Sequence, residues 1–350
     1  MVDDTAVLGG GRSAPDRKNV EITMRAVVIT KHGEPSVLKV VELEQPRPKR
    51  GEILVKVTAT SVNRADLMQR MGLYPDPFPG AHEVPGLEFS GTVAELGEGA
   101  KKWKVGDSVM GIVSGGAYAE FVTIPDAQAM RIPRDVPLAD AAAIPEVFIT
   151  AWDALVLQAG LKAGQTALVH AGASGVGTAA IQICRAIGAK VLVTCSAGKG
   201  DACLALGAEM AIDYRAQDFV AVCRQATNGA GIDAVLDVIG GEYLNRNVAV
   251  LAQKGTIVQV GLMGGGSTSF NIGAMMPKRA RLIGTVLRPR PPEEKIAVSQ
   301  AFAAEVLPRF DAGVLKPVID RRFALDQIVQ AHQHMEANVN IGKIVVTVAS

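Results

Sequence analysis

Apolar positions fall in short blocks along most of the chain, and the texture of those blocks changes near residue 145. Before that point Arg25–Thr30, Glu52–Thr58, Phe89–Glu95 and Ser108–Val113 are strand-length runs rich in β-branched residues. Gly and Pro punctuate the intervals, as in Pro46-Arg47-Pro48 and Pro75-Asp76-Pro77-Phe78-Pro79, and the pattern predicts a mostly antiparallel β domain. Beyond it, Thr166–Ala171, Lys190–Thr194, Met210–Asp213, Ile232–Asp237, Gly255–Gly261 and Arg281–Val286 form six further strand-like runs. Most are joined by helix-length segments such as Asp218–Thr227 and Glu242–Leu251. Alternation of this kind predicts right-handed crossovers and a doubly wound parallel sheet, with a ligand crevice at the carboxyl ends of its strands. A helix expected over Glu293–Phe310 and a final strand over Lys343–Thr347 have no place in such a sheet. They are expected to return to the β domain, so that residues 146–288 form an inserted α/β domain between 24–145 and 289–350.

The join between the first two of those six strands carries the most chemistry. Leu168-Val-His-Ala-Gly-Ala-Ser-Gly-Val-Gly177 turns a buried strand into a helix, expected over Thr178–Gly188, through a glycine-rich corner. Val176, Ala179, Ala180, Ile183, Cys184 and Ile187 recur at helical spacing, with Gln182 and Arg185 on the opposite face. In G-x-G-x-x-G register the corner reads Gly172, Ser174 and Gly177, with Gly175 extra and Val176 between them. A corner of this shape presents backbone N–H groups and a helix N-terminus to a pyrophosphate, so the expected ligand is a dinucleotide. Ser174 departs from the pattern at the middle glycine, yet is small enough to allow close approach and brings a hydroxyl.

Composition narrows the class. The 350 residues are 48% hydrophobic and 20% charged, which suits a globular chain of about two domains. A formal net charge of +1 gives no global attraction to nucleic acid or anionic lipid, and no basic stripe interleaved with aromatics is present. No apolar run approaches the roughly twenty residues needed to span a bilayer. Residues 1–23, with Asp3, Asp4 and no apolar stretch, read as a flexible extension rather than a secretory signal. Cys184, Cys195, Cys203 and Cys223 form no C-x-x-C pair and are expected to be reduced thiols that pack, consistent with a cytoplasmic location. His32, His82, His332 and His334 have no partner visible in the sequence, and the two-residue spacing of His332 and His334 splays them on a helix. Packing accounts for His170.

Taken together, Asn63-Arg-Ala-Asp66, Pro85-Gly-Leu-Glu-Phe-Ser-Gly91, Ala142-Ala-Ile-Pro145, the glycine corner and Gly261-Leu-Met-Gly-Gly-Gly266 resemble the medium-chain dehydrogenase/reductase superfamily over roughly residues 24–348. Within it they are similar to the zinc-free, ζ-crystallin-like quinone oxidoreductases, and especially to their tumour-suppressor-inducible branch. The resemblance implies a Rossmann domain inserted in a GroES-like catalytic domain. It also implies that Asn63 and Leu87 stand where zinc relatives hold a cysteine and a histidine, so no metal is expected; neither side chain can replace a thiolate or imidazole. Glu88, without a metal beside it, reads best as a buried structural carboxylate.

Without a Lewis acid, a more electrophilic acceptor than an alcohol-derived carbonyl is required, such as a quinone or an enone, helped by hydrogen-bond donors. By resemblance Tyr74 would orient or protonate that acceptor and Asn63 would hold it. The second strand ends in Thr194-Cys-Ser-Ala-Gly-Lys199, with no acid before Asp201 to bind a ribose 2′-hydroxyl, which favours NADPH over NADH. The resemblance places Ser196, Lys199 and Tyr214 on the 2′-phosphate. It places Thr150 near the nicotinamide, Gly261, Leu262 and Met263 beneath its ring, and Asn340 on a returning loop beside the adenosine phosphate. The edge strand Arg281–Val286 is expected to pair across a twofold axis, giving a homodimer or a dimer of dimers. The leading reading is an NADPH-dependent quinone reductase. An alkenal or enoyl reductase, and a cofactor-binding protein without catalysis, remain open beside it.

Overall fold

The computed structural model describes residues 22–348; apart from its last two residues, the extension expected over 1–23 lies outside them. The chain enters through a two-stranded antiparallel ribbon, β1 (Thr23–Ile29) and β2 (Leu38–Glu44). It continues into β3 (Glu52–Val62), helix α1 (Arg64–Arg70), β4 (Glu88–Leu96), β5 (Ser108–Ile112), β6 (Phe121–Pro125) and β7 (Met130–Arg131). Helix α2 (Pro145–Trp152), prolonged by a π-helical turn at Asp153–Gln158, leads out of this β domain.

The second layer system follows as β8 (Thr166–Val169), α3 (Gly175–Ile187), β9 (Lys190–Cys195), α4 (Gly200–Leu206) and β10 (Met210–Asp213). It is completed by α5 (Phe219–Ala226), β11 (Ile232–Asp237), α6 (Tyr243–Val250), β12 (Leu251–Gln259) and β13 (Arg281–Gly284). All six strands are parallel, in the order β10-β9-β8-β11-β12-β13. This is the doubly wound Rossmann order, and the direction of progression reverses at β8, where a ligand crevice must open.

The remainder, α7 (Pro292–Glu305), α8 (Leu307–Asp311), β14 (Ile319–Ala324), α9 (Ile328–Glu336) and β15 (Lys343–Thr347), goes back to the first domain. There β15 pairs antiparallel with β3 and parallel with β14, inside a mixed sheet ordered β14-β15-β3-β4-β5-β7. The inserted Rossmann architecture expected from the sequence is therefore the one observed.

Several elements differ from expectation, each for a local reason. The helix expected over Glu293–Phe310 is two helices, because Pro308 lacks an N–H and is accommodated only in the first turn of a new helix that begins after Val306. The helix expected from Thr178 begins at Gly175, since the Ser174 hydroxyl accepts the Gly177 N–H at 3.1 Å and caps it there. The strand expected over Gly255–Gly261 runs from Leu251 to Gln259, with a register irregularity opposite Ile232 and Ala234. Strands β2, β6, β7 and β14 were not expected at all; β7 is only two residues long.

The glycine corner is set by close approach. A Cβ on Gly177 would lie 2.4 Å from the carbonyl oxygens of both Ala171 and Gly172, and one on Gly172 would strike Val193 at 2.5 Å. Behind the corner His170, fully buried, bonds Thr194 Oγ1 through Nδ1 (2.9 Å) and Asn247 Oδ1 through Nε2 (2.8 Å). Asn247 in turn donates to Asp237. This chain of bonds ties β8, β9, β11 and α6 together at the crevice, a role beyond the packing anticipated for His170. Because backbone oxygens rather than a flexible side chain oppose it, Gly177→Ala should cost about 1–3 kcal/mol, typical of overpacking. Urea denaturation measures this, and an unchanged midpoint would show that the Ala171–Gly172 backbone moves aside freely.

Candidate active site

The carboxyl ends of β8, β9 and β11 open onto a cleft of about 540 Å³. Ser174, Gly175 and Val176 line it, so the first turn of α3 faces the cavity with its N–H groups, while Gly172 and Gly177 shape the turn from behind. Ser196 and Lys199 follow β9, and Tyr214 follows β10; all three line the same cleft. The Lys199 ammonium donates to the carbonyls of Asn338 (2.7 Å) and Asn340 (2.9 Å), pinning the segment before β15 across the opening. Asn340 is buried, and its amide donates to Gly342 O at 2.9 Å. Met263 and Gly264 close another side.

Nine of the sequence-predicted residues thus meet at one cavity: Asn63, Ser174, Gly175, Val176, Ser196, Lys199, Tyr214, Met263 and Asn340. Gly172, Gly177 and Leu262 adjoin it through chain neighbours rather than lining it, and Gly261 lies one residue further off. Thr150, half-buried on α2, and Tyr74, half-buried in the turn after α1, do not line the cavity. The glycine cradle, the exposed helix N-terminus and the cationic side chain beside Tyr214 together fit a dinucleotide with an extra phosphate.

Sequence reasoning missed Arg64, Val147 and Lys343, which also line the cleft. Burial lowers the pKa of Arg64, and burial followed by the nearby Arg64 charge lowers that of Lys199, against the opposing pull of Asp320. Arg64 adjoins Asn63 in a quoted motif, but nothing in the sequence shows that it turns towards the cofactor crevice.

Where the two domains meet, a polar cluster is buried almost completely. Glu88, at the start of β4 and fully buried, accepts from the Lys343 ammonium (2.8 Å), from the Asn63 amide (3.0 Å) and from the Ser61 hydroxyl. Its other oxygen accepts the Glu146 N–H at 2.8 Å. Lys343 also donates to Asn63 Oδ1 (2.6 Å) and Val62 O (3.1 Å), so every proton of the ammonium has a partner. Asn63 is fixed from its main chain too, through its N–H to Asp66 (2.8 Å) at the start of α1. A turn-capping role therefore accompanies its place in the cleft wall. Leu87 is packed in the apolar core. An amide already bonded to an ammonium, beside an isobutyl group, does not fit a zinc ion, and among the described residues no three of His, Cys, Asp and Glu converge.

Asp66 is fully buried, and desolvation raises its pKa to about 6 against the hydrogen bonds from Asn63 and the Tyr118 hydroxyl (2.9 Å). His332 lies edge-on to Tyr118 and is pushed down to about 3 by burial, so it is neutral. Two further histidines have partners that the sequence concealed: His334 pairs with Asp320 at 2.7 Å and His32 with Glu83 at 3.4 Å. Arg288, itself buried, holds the Tyr74 turn: it donates to Tyr74 O (3.1 Å) and Gln69 Oε1 (2.9 Å), and its guanidinium lies 5.1 Å from the Tyr74 ring centroid. Burial and then the charge of Glu146 raise the Tyr74 phenol. Glu146, in the first turn of α2, is itself raised to about 8, first by burial and next by Glu88.

Comparison with known proteins agrees with this layout. Residues 49–134 match the alcohol dehydrogenase GroES-like domain and residues 206–346 the zinc-binding dehydrogenase family. Human quinone oxidoreductase is 32% identical over 316 residues, covering 89% of this chain and 94% of that protein. The Escherichia coli quinone oxidoreductase complexed with NADPH superposes with a TM-score of 0.82 at 28% identity, covering 93% of this chain and 99% of that one. The JamJ enoyl reductase, in its apo form, superposes with a TM-score of 0.84 at 25% identity and the same coverage.

The buried pair yields a direct test. Lys343→Met keeps much of the side-chain volume but strands the Glu88 carboxylate, and removing one member of a buried ion pair costs about 3–5 kcal/mol. The loss should appear in chemical denaturation near neutral pH. A loss below about 1 kcal/mol, the usual value of an exposed pair, would mean that solvent reaches Glu88.

Proposed function

The chain belongs to the medium-chain dehydrogenase/reductase superfamily, and from that premise we propose that it is an NADPH-dependent quinone reductase that works without zinc. One observation carries the reading: a glycine-cornered helix N-terminus, Lys199 with Tyr214, and Asn63 with Lys343 all border a single cleft. Quinone oxidoreductases from human and E. coli sources among its relatives support the same assignment.

In this reading the N–H groups of Ser174 to Gly177 hold the pyrophosphate. Ser196, Lys199 and Tyr214 take the 2′-phosphate, and Asn340 closes over the adenosine side. Thr150 and the turn Gly261–Met263 border the nicotinamide. The bound cofactor supplies the hydride. Asn63 forms a rigid part of the wall, its amide locked by Lys343 and Glu88, and keeps the acceptor in register. Tyr74, held by Arg288, directs its hydroxyl at the acceptor oxygen as negative charge develops there. A donor placed in advance lowers the barrier selectively, because its bond strengthens in the transition state. The likeness to an enoyl reductase supports a second substrate class, enones or enoyl thioesters, which the same Tyr74 would serve.

Two variants test the assignment against a panel of quinones and enals. Lys199→Ala should weaken NADPH binding about tenfold, the lower end for a charge-assisted bond since Lys199 is only half-buried, while NADH is little changed. Equal weakening of both in a binding titration would give Lys199 a purely structural part. Tyr74→Phe should lower kcat about tenfold or more for a weakly electrophilic quinone, less for a strong one, with NADPH affinity constant. If kcat holds for both acceptors, Tyr74 has only a structural part and proximity alone drives transfer.

A further inference from the structure

Three cations line the cleft, and they differ in how far the protein itself satisfies them. Lys343 directs its protons to Glu88, Asn63 and Val62. Lys199 gives two of its three to the carbonyls of Asn338 and Asn340, at 2.7 and 2.9 Å, which leaves one. Arg64, which opens α1 directly after Asn63, gives none. It is half-buried, yet among the described residues its guanidinium makes no hydrogen bond and no ion pair. The carboxylate whose charge acts on it, Glu336, is held by Arg70 instead. Donors drawn partly out of water and bonded to nothing are costly, so a guanidinium in this position calls for an acceptor from outside the chain.

We propose that Arg64 is the second cation of the 2′-phosphate subsite, reaching from the β domain to share that phosphate with Lys199 of the Rossmann domain. A phosphate monoester carries about two negative charges at neutral pH and offers three acceptor oxygens. The single proton that Lys199 has left meets only a small part of that demand. A guanidinium supplies the rest, because its planar fork matches two phosphate oxygens at once while the ammonium acts on the third as a point charge. The side chains of Ser196 and Tyr214 border the same space.

The electrostatics of the cleft agree with a shared anion. Burial lowers the Lys199 ammonium and, against the pull of Asp320, so does the charge of Arg64, which places the two cations close enough to repel. Burial lowers Arg64 as well. A dianion between them turns one repulsion into two attractions and gives the unbonded donors their acceptors. Since the two cations stand on different domains, the phosphate also ties those domains together, which a ribose 2′-hydroxyl does not do. Discrimination between the phosphorylated and the unphosphorylated dinucleotide then depends in part on a residue outside the nucleotide-binding fold.

The inference rests on the NADPH reading, and the test separates the two. Dissociation constants for NADPH and NADH are measured by calorimetry on the full chain for wild type, Arg64→Gln and Arg64→Lys. Two fragments are titrated beside them: adenosine 2′-monophosphate, which has the 2′-phosphate and no pyrophosphate, and ADP, which has the pyrophosphate and no 2′-phosphate. Arg64→Gln should weaken NADPH and adenosine 2′-monophosphate about tenfold, as expected for the loss of a charge-assisted bond, with NADH and ADP nearly unchanged. Arg64→Lys, which restores the charge without the fork, should recover part of the loss. Retained ADP binding shows that the cleft of each variant is intact. If neither variant alters the preference for NADPH, if NADPH and NADH weaken alike, or if the loss falls on ADP, the inference is overturned while the reductase reading stands. A wild type that binds NADH as tightly as NADPH, and adenosine 2′-monophosphate not at all, would overturn the NADPH assignment and the inference with it.

Discussion

The ion pair between Lys343 and Glu88 is the constraint around which the two domains are arranged. Each charge would be costly alone in the interior, and each is acceptable only because the other, together with Asn63, Ser61 and the Glu146 N–H, saturates it. The pair links β15 to β4, Asn63 brings in the end of β3, and Glu146 brings in α2, which packs on α3 of the Rossmann layer. The aliphatic stem of Lys343 also runs against Gly175, where a Cβ would lie 2.7 Å from the lysine Cδ. The absence of a side chain in the cofactor corner therefore has two consequences. It permits a phosphate on one side and admits the lysine on the other.

Charge is distributed unevenly about this pair. Towards the glycine corner lie Arg64 and Lys199, cations that repel each other in a confined space and so favour an anionic ligand. Towards the Tyr74 turn lie Glu146 and Asp66, carboxyls kept from ionising readily by burial. The end of the site at the glycine corner is thus suited to phosphate. The buried histidines contribute no charge to either: His332 is neutral against Tyr118, and His170 is held lowered by burial within its hydrogen-bonded chain.

The same arrangement underlies the proposed zinc-free reading of a chain that matches a family whose name refers to zinc. An ammonium at 2.6 Å from the Asn63 oxygen supplies a fixed positive charge in the cluster. A lysine held this way orders the wall without being a Lewis acid, and in the proposed reading stabilisation of the developing oxyanion falls to hydroxyl donors and an intrinsically electrophilic acceptor.

Periodicity determined the six parallel strands and the final strand over Lys343–Thr347, because each depends on side-chain spacing within a few residues. It could not find β7, at two residues too short for any pattern, and the break at Val306 is marked by Pro308 rather than by periodicity. The corner residues Gly172, Ser174, Gly175 and Gly177 were legible because a tight turn leaves few residue types available. Lys343 and Glu146 were not, since a lysine opening an apolar strand and a glutamate after a proline are ordinary in sequence. Lys343 meets Asn63 across 280 residues of chain, and the Glu146 pKa is raised first by burial and next by Glu88, 58 residues away. Such properties belong to no segment: desolvation and charge proximity exist only once the sheets have closed, and only the tertiary structure decides which charges are left without water.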